Sequence, residues 1–218
     1  MFPVIMIAEI LFLIHFFAKI YIMKLSAKEL LNKFSKNISH SFEVQRLALI
    51  IFDETSAKIK EMPEKCREYL KAGALLHDIG YFVDEKNHNK HSMNMVLENG
   101  ISGFDETEIK IIACICRYHR GGLPDKNEHD VYNTLDKKER KIVKRLAGIL
   151  KISDGLNSGQ KSFVQDIKLN FDEANRIAEF ILIPKTPEYL SDISRAIRKR
   201  DLYEIGFKCQ SVIKWQII

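Results

Sequence analysis

Apolar positions recur at helical spacing from residue 24 to about residue 157, and the period then changes. Val44, Leu47, Ala48, Ile51 and Phe52 fall on one face of a helix over 41–60, with His40 at its entrance. Pro63 opens a second helix, which runs through Tyr69, Leu70, Ala74 and Leu75 to the adjacent pair His77-Asp78, and Gly80 ends it. A short helix over 89–98 carries His91, Met95 and Leu97. Asp105-Glu106-Thr107-Glu108 has the form of a capping box, and Ile109, Ile112, Ala113 and Cys116 continue a buried face to His119. Gly121-Gly122-Leu123-Pro124 stops that helix, and 125–135 reads as a polar loop. Asp136-Lys137-Lys138-Glu139 starts a long helix with Ile142, Leu146, Ile149 and Leu150 inward and Asp154 just before Gly155.

Beyond residue 160 the pattern turns strand-like. Phe163–Phe171 partly alternates, Ile177–Ile183 is a short apolar run, and Gln210–Ile218 is rich in β-branched residues, with a helical stretch over 188–204. The fold class predicted is mainly α: a helical bundle over 24–158 with a small α+β appendage over 159–218, its three strands antiparallel. Residues 1–23 are strongly apolar, interrupted only by Glu9, His15 and Lys19. They are long enough to span a bilayer, but Glu9 inside the span is costly, and neither a basic start nor an A-x-A site marks a signal peptide. A mis-called start, with Met23 the first residue, or a docked helix are the alternatives to a membrane anchor. Lys24, Lys28, Lys33 and Lys36 would hold the remainder on the cytoplasmic side of such an anchor.

At 218 residues the chain can bury one substantial core, and its net charge of +5 fits an anionic ligand without specifying one. No nucleic-acid fingerprint is visible, so nucleic acid is not an expected partner. The four cysteines lack CxxC or disulfide-framework spacing and read as reduced thiols of a reducing compartment, which points to the cytoplasm.

The chemistry lies in the histidines and aspartates. His40, His77, Asp78, His91, His119 and Asp154 each fall at or near a helix end, in the order H…HD…H…H…D. A His/Asp set without thiolate suits Mn²⁺, Fe²⁺, Co²⁺, Ni²⁺, Zn²⁺ or Mg²⁺. Six ligands exceed what one catalytic ion takes and suit two ions, with Asp78 the natural bridge. Asp78 and His77 are the catalytic candidates. Arg117 and Arg120 bracket His119 and Lys90 adjoins His91, so these three, with His88, are candidates for substrate contact. His15 and His129 are read as uninvolved. The basic runs at 137–145 and at Arg195, Arg198, Lys199 and Arg200 read as solvated helix faces, with an electrostatic funnel as the alternative.

These motifs resemble the HD superfamily of metal-dependent phosphohydrolases, and more closely the C-terminal HD domain of the exopolyphosphatase and guanosine-pentaphosphate phosphatase (Ppx/GppA) family. The resemblance rests on ALLHDIGYF at 74–82, HNKHS at 88–92, NGISGF at 99–104 and RYHRGGLP at 117–124, and covers about residues 30–218. It implies an HD fold, divalent metal, and hydrolysis of a phosphate ester or anhydride by metal-bound hydroxide, the substrate being a phosphorylated small molecule or polyphosphate. Family members carry polyphosphate hydrolysis in N-terminal actin-like domains, which are not seen in this sequence. The rival expectation is therefore a non-catalytic polyphosphate- or nucleotide-binding module assisting a separate phosphatase. A homodimer is compatible with either reading.

Overall fold

The computed structural model describes residues 24–159, 163–186 and 190–216. The apolar leader 1–23 lies outside them. Among the described residues no helix is long and apolar enough to cross a membrane.

Ser26 opens α1 (Ala27–Phe34) with a capping box closed by Glu29. The central helices follow as α2 (Ile38–Lys58), α3 (Glu64–Leu76) and, after a 3₁₀ turn over Ile79–Phe82, α4 (His88–Asn99). Asp105 and Glu108 form the expected capping box of α5 (Glu106–Tyr118), and Asp136 and Glu139 do the same for α7 (Lys137–Leu156). Between them the segment expected to be a plain loop contains a single helical turn, α6 (Asp130–Asn133), which Tyr132 anchors by burial. The inward faces of α2, α3, α5 and α7 make one continuous apolar core. Val44, Leu47, Ala48 and Ile51 of α2 are 1 % exposed or less, as their spacing requires. All four cysteines are buried free thiols.

The tail departs from expectation in its topology. β1 (Val164–Asp172) pairs antiparallel with β2 (Ile177–Pro184), but β3 (Gln210–Trp215) runs parallel to β2. The reason is the connection. Two short helices, α8 (Ser194–Arg198) and α9 (Asp201–Phe207), lie between β2 and β3, where one helix was expected. They form a crossover that returns the chain to start the next strand from the same end.

The tail is packed closely against α7. At Gly148 an added Cβ would lie 2.5 Å from the backbone nitrogen of Tyr203, and at Gly155 one would lie 2.6 Å from Cα of Ala196. These two glycines, seven apart on one helical face, let α9 and α8 approach backbone to backbone. An ion pair between buried Lys151 and exposed Asp201 (2.6 Å) and a Thr55–Tyr203 hydroxyl contact (3.1 Å) fix the same junction. On the other side Arg46 donates to the carbonyls of Val164 and Gln165, tying β1 to α2.

Candidate metal centre

Five helix ends meet around the turn that carries Asp78. His40 enters from the first turn of α2, His77 caps the C-terminus of α3, His88 begins α4, His119 caps α5, and Asp154 lies in the last turn of α7. The Asp78 carboxylate stands at the middle with its oxygens divided. Oδ2 is 3.5 Å from Nε2 of His40 and 3.4 Å from Nε2 of His77. Oδ1 is 3.4 Å from Nε2 of both His88 and His119. Two groups thus have the spacing to hold an ion, His40-His77-Asp78 and Asp78-His88-His119, and they share one residue. Asp154 adjoins the first, its Oδ1 3.4 Å from His40 Nε2 and 3.9 Å from His77 Nε2.

Backbone carbonyls decide how these imidazoles are protonated. Nδ1 of His77 donates to the Ala74 carbonyl (2.8 Å), Nδ1 of His88 to Glu85 (3.0 Å), and Nδ1 of His119 to Cys116 (2.7 Å). In each case the acceptor lies three residues upstream. In the neutral tautomer that these carbonyls select, the one N–H lies on Nδ1 and Nε2 is the atom that can offer a lone pair. Burial lowers the pKa of His119 to about 4, and burial also lowers that of His88, so both rings are neutral near pH 7. Their two Nε2 lone pairs lie 3.3 Å apart and face the same carboxylate oxygen. His77 Nε2 is buried without a hydrogen-bond partner. Acceptors facing acceptors in a buried space need a cation between them, and the residues present therefore fit divalent metal.

His40 differs. Burial acts to lower its pKa, but the Asp154 and Asp78 carboxylates outweigh it and raise the value to about 9. In the metal-free protein this ring is an imidazolium set between the two acids. Burial opposes ionisation of Asp78 and Asp154, yet the surrounding histidines, and Lys199 at Asp154, hold both carboxyls well below the usual carboxylate range. Asn157 meets Nδ1 of His40 at 2.9 Å. When His40 offers Nε2 to a cation its hydrogen sits on Nδ1. Turning the Asn157 amide then lets Oδ1, a buried atom otherwise without a partner, accept it.

The frame around the cluster is tight. Ser92 donates to the His77 carbonyl (2.6 Å) and accepts from Gly80 N (2.9 Å), binding α4 to the His-Asp turn. A Cβ on Gly80 would fall 1.9 Å from the His88 carbonyl, so only glycine lets α4 come this close. Asn89 donates to the carbonyls of Arg117 (2.8 Å) and Arg120 (2.9 Å), joining the ends that carry His88 and His119. The Tyr81 ring stacks on His88 with centroids 4.0 Å apart and fixes its plane.

Of the residues singled out from sequence, His40, His77, Asp78, His119 and Asp154 converge. His91 does not. The structure brings His88, the residue one turn earlier, to Asp78, while His91 is half-buried further along α4. His88 thus stands among the ligand candidates rather than at the substrate. Among the proposed substrate cations, Arg117 lies over the Tyr118 ring (5.6 Å) and Lys90 is exposed. Arg120 is exposed, but its charge reaches His88 and Tyr81 and helps depress the His88 pKa.

Two cations read as solvated are instead at the site. Lys199, which caps α8, pairs with Oδ2 of Asp154 and donates to the His119 carbonyl (3.4 Å). Burial lowers its pKa, the Asp154 charge opposes that, and Arg195 adds to it. Arg195 lines a cavity of about 820 Å³ together with His40, Asp78, Tyr81, Phe82 and Asp154. The available signal was the glycine pair Gly148 and Gly155, which marks a close-packed face of α7.

The chain is a mainly helical domain that closes on a His/Asp cluster and ends in a small α+β tail. Residues 22–192 match the family model described as Ppx/GppA phosphatase, domain III, and the chain belongs to that family. It is similar to a guanosine-5'-triphosphate,3'-diphosphate pyrophosphatase of Pseudoalteromonas translucida, 29 % identical over 84 residues, covering 37 % of this chain and 17 % of that protein. It is also similar to a CRISPR system single-strand-specific deoxyribonuclease Cas10/Csm1 of Methanocaldococcus jannaschii, 26 % identical over 157 residues, covering 66 % of this chain and 17 % of that protein. The chain thus spans 17 % of the length of each of these curated relatives.

Proposed function

We propose that this chain is a metal-dependent phosphohydrolase acting on a phosphate ester or anhydride of the polyphosphate or nucleotide class, with its chemistry at the Asp78 cluster. The observation that carries the reading is the division of the Asp78 carboxylate between two pairs of histidine Nε2 atoms. His40, His77, Asp78 and Asp154 would hold one divalent ion, and Asp78, His88 and His119 a second. When bound, such ions polarise a phosphoryl oxygen and acidify a water molecule. The chain's own residues do the rest. Asp78 bridges the two halves, Tyr81 and Asn157 set the planes of His88 and His40, and the backbone carbonyls at 74, 85 and 116 hold the tautomers that present Nε2. The donor set suits Mn²⁺, Fe²⁺, Co²⁺, Ni²⁺, Zn²⁺ or Mg²⁺. Four buried free thiols fit the cytoplasm as the place of action.

The second reading is a polyphosphate- or nucleotide-binding module assisting a separate phosphatase, with which the match to domain III of a phosphatase family is equally compatible. One experiment separates the two. The chain is assayed with Mn²⁺ for phosphate release from polyphosphate, nucleoside mono- and triphosphates, (p)ppGpp and cyclic dinucleotides, beside Asp78→Ala. Turnover that vanishes in the variant supports the hydrolase; a folded, metal-loaded protein without turnover leaves the binding module.

A further inference from the structure

We propose that Arg195 and Lys199, both supplied by the C-terminal tail, form a phosphoryl clamp at the Asp78 cluster, and that the group it receives is a dianionic phosphomonoester or terminal phosphoanhydride rather than a phosphodiester. The inference rests on the metal-dependent reading of that cluster. Arg195 lies on α8 and Lys199 four residues on at its cap, a spacing that puts both on one side of the tail.

Among the described residues their donors are not used up. An ammonium has three N–H donors, and Lys199 commits two, to Asp154 and to the His119 carbonyl. Arg195 has five, and its hydrogen bond is to Ser158 Oγ (3.4 Å) while it lines the cavity beside Asp78 and Asp154. An ammonium only 13 % exposed is costly to place, and Asp154 already answers to His40, so the ion pair by itself is a weak reason for a lysine there.

Charge selects the ligand. Lys199 pairs with Asp154 and Arg195 lines the cavity that Asp78 and Asp154 also line, so the two carboxylates of the cluster face two fixed cations before any divalent ion enters. Two divalent ions then leave the centre strongly positive, and a dianionic phosphoryl group answers that excess better than the single charge of a diester. The clamp is also pre-set. Gly148 and Gly155 seat the tail on α7, and the Lys151–Asp201 and Thr55–Tyr203 contacts hold it there.

The test is calorimetric titration of the full chain, Mn²⁺-loaded, with inorganic phosphate. Arg195→Gln and Lys199→Gln should each weaken phosphate about tenfold, equal to about 1.4 kcal/mol. Lys199→Arg should keep most of the affinity, and Arg198→Gln, an exposed neighbour on α8, should leave it unchanged. Mn²⁺ stoichiometry should be the same in all. Phosphate affinity within twofold of wild type in both glutamine variants overturns the clamp, as does a wild-type protein that binds no phosphate. Arg195→Gln removes a half-buried rim residue and folds whatever Lys199→Gln does. Where substrates are turned over, loss should appear in KM for a monoester such as p-nitrophenyl phosphate, and that ester should be preferred to bis(p-nitrophenyl) phosphate. Preference for the diester overturns the choice of ligand. If the wild type binds no Mn²⁺, the metal reading fails by itself. The clamp is then judged on metal-free phosphate binding: dependence on Arg195 and Lys199 sustains it, and independence overturns it.

Discussion

Gly155→Ala sets local preference against packing. In an isolated helix the substitution is favourable by about 1 kcal/mol, because alanine restricts the unfolded chain and suits the helix. In α7 the new Cβ would lie 2.6 Å from Cα of Ala196, 2.8 Å from its nitrogen and 3.1 Å from the carbonyl carbon of Arg195. Carbon atoms rest at about 3.5–4.0 Å, so α8 must retreat by about 1 Å. No flexible side-chain end absorbs this, since all three of these nearest atoms belong to backbone. Overpacking of this kind costs about 1–3 kcal/mol, and rigid backbone on both sides puts it at the upper end. Net of the helix gain, the variant should lose about 2 kcal/mol, or about 4–8 °C in Tm for a chain of this length. The retreat also draws Lys199 from Asp154. Thermal and urea unfolding of the metal-free protein measure the loss, with Gly122→Ala, whose Cβ meets nothing within 4 Å, as the control near zero. A Gly155→Ala protein as stable as wild type would refute the close approach of α7 and α8, and with it the seating of Lys199.

Three further outcomes are expected. His88→Ala should lower Mn²⁺ stoichiometry by one ion while His91→Ala leaves it unchanged, measured by equilibrium dialysis; the reverse pattern would return His91 to the site. Mn²⁺ at 100 times its Kd should stabilise the wild type by about 2.7 kcal/mol and Asp78→Ala hardly at all, read as Tm shifts. In chelator-treated protein, the His40 pKa is raised from 6.5 to about 9, so its stabilisation is complete below pH 6.5 and fades as pH rises through 9. Denaturant melts across that window should lose on the order of 3 kcal/mol, and His40→Gln should flatten the profile.

What the sequence disclosed follows from what local chemistry can encode. The capping boxes at Asp105 and Asp136 and the apolar stripe of α2 depend on neighbours within a few residues, and each was legible. So were His40, His77, Asp78, His119 and Asp154, because helix ends are where a bundle gathers side chains. The choice between His88 and His91 was not legible. It turns on Asn87, which takes positive φ (64°) and starts α4 at residue 88, and on the approach of α4 to Gly80, a contact between distant segments. The parallel pairing of β3 and the placement of Lys199 likewise depend on how the crossover docks. A basic run alone looks the same whether it faces solvent or a carboxylate.

The crossover has one more consequence. Composition divides the chain near residue 158, yet Asp154 and the lysine that grips it stand on opposite sides of that line, and the lysine's segment is stitched at both ends into one sheet. The seam in the sequence is therefore not a seam in the working protein. A protein shortened at that line would keep the four histidines while losing the cation that answers Asp154, and a tail borrowed from a relative would alter how the centre meets its ligand without changing one residue that surrounds Asp78. The two halves have to be kept, moved and exchanged as a single piece.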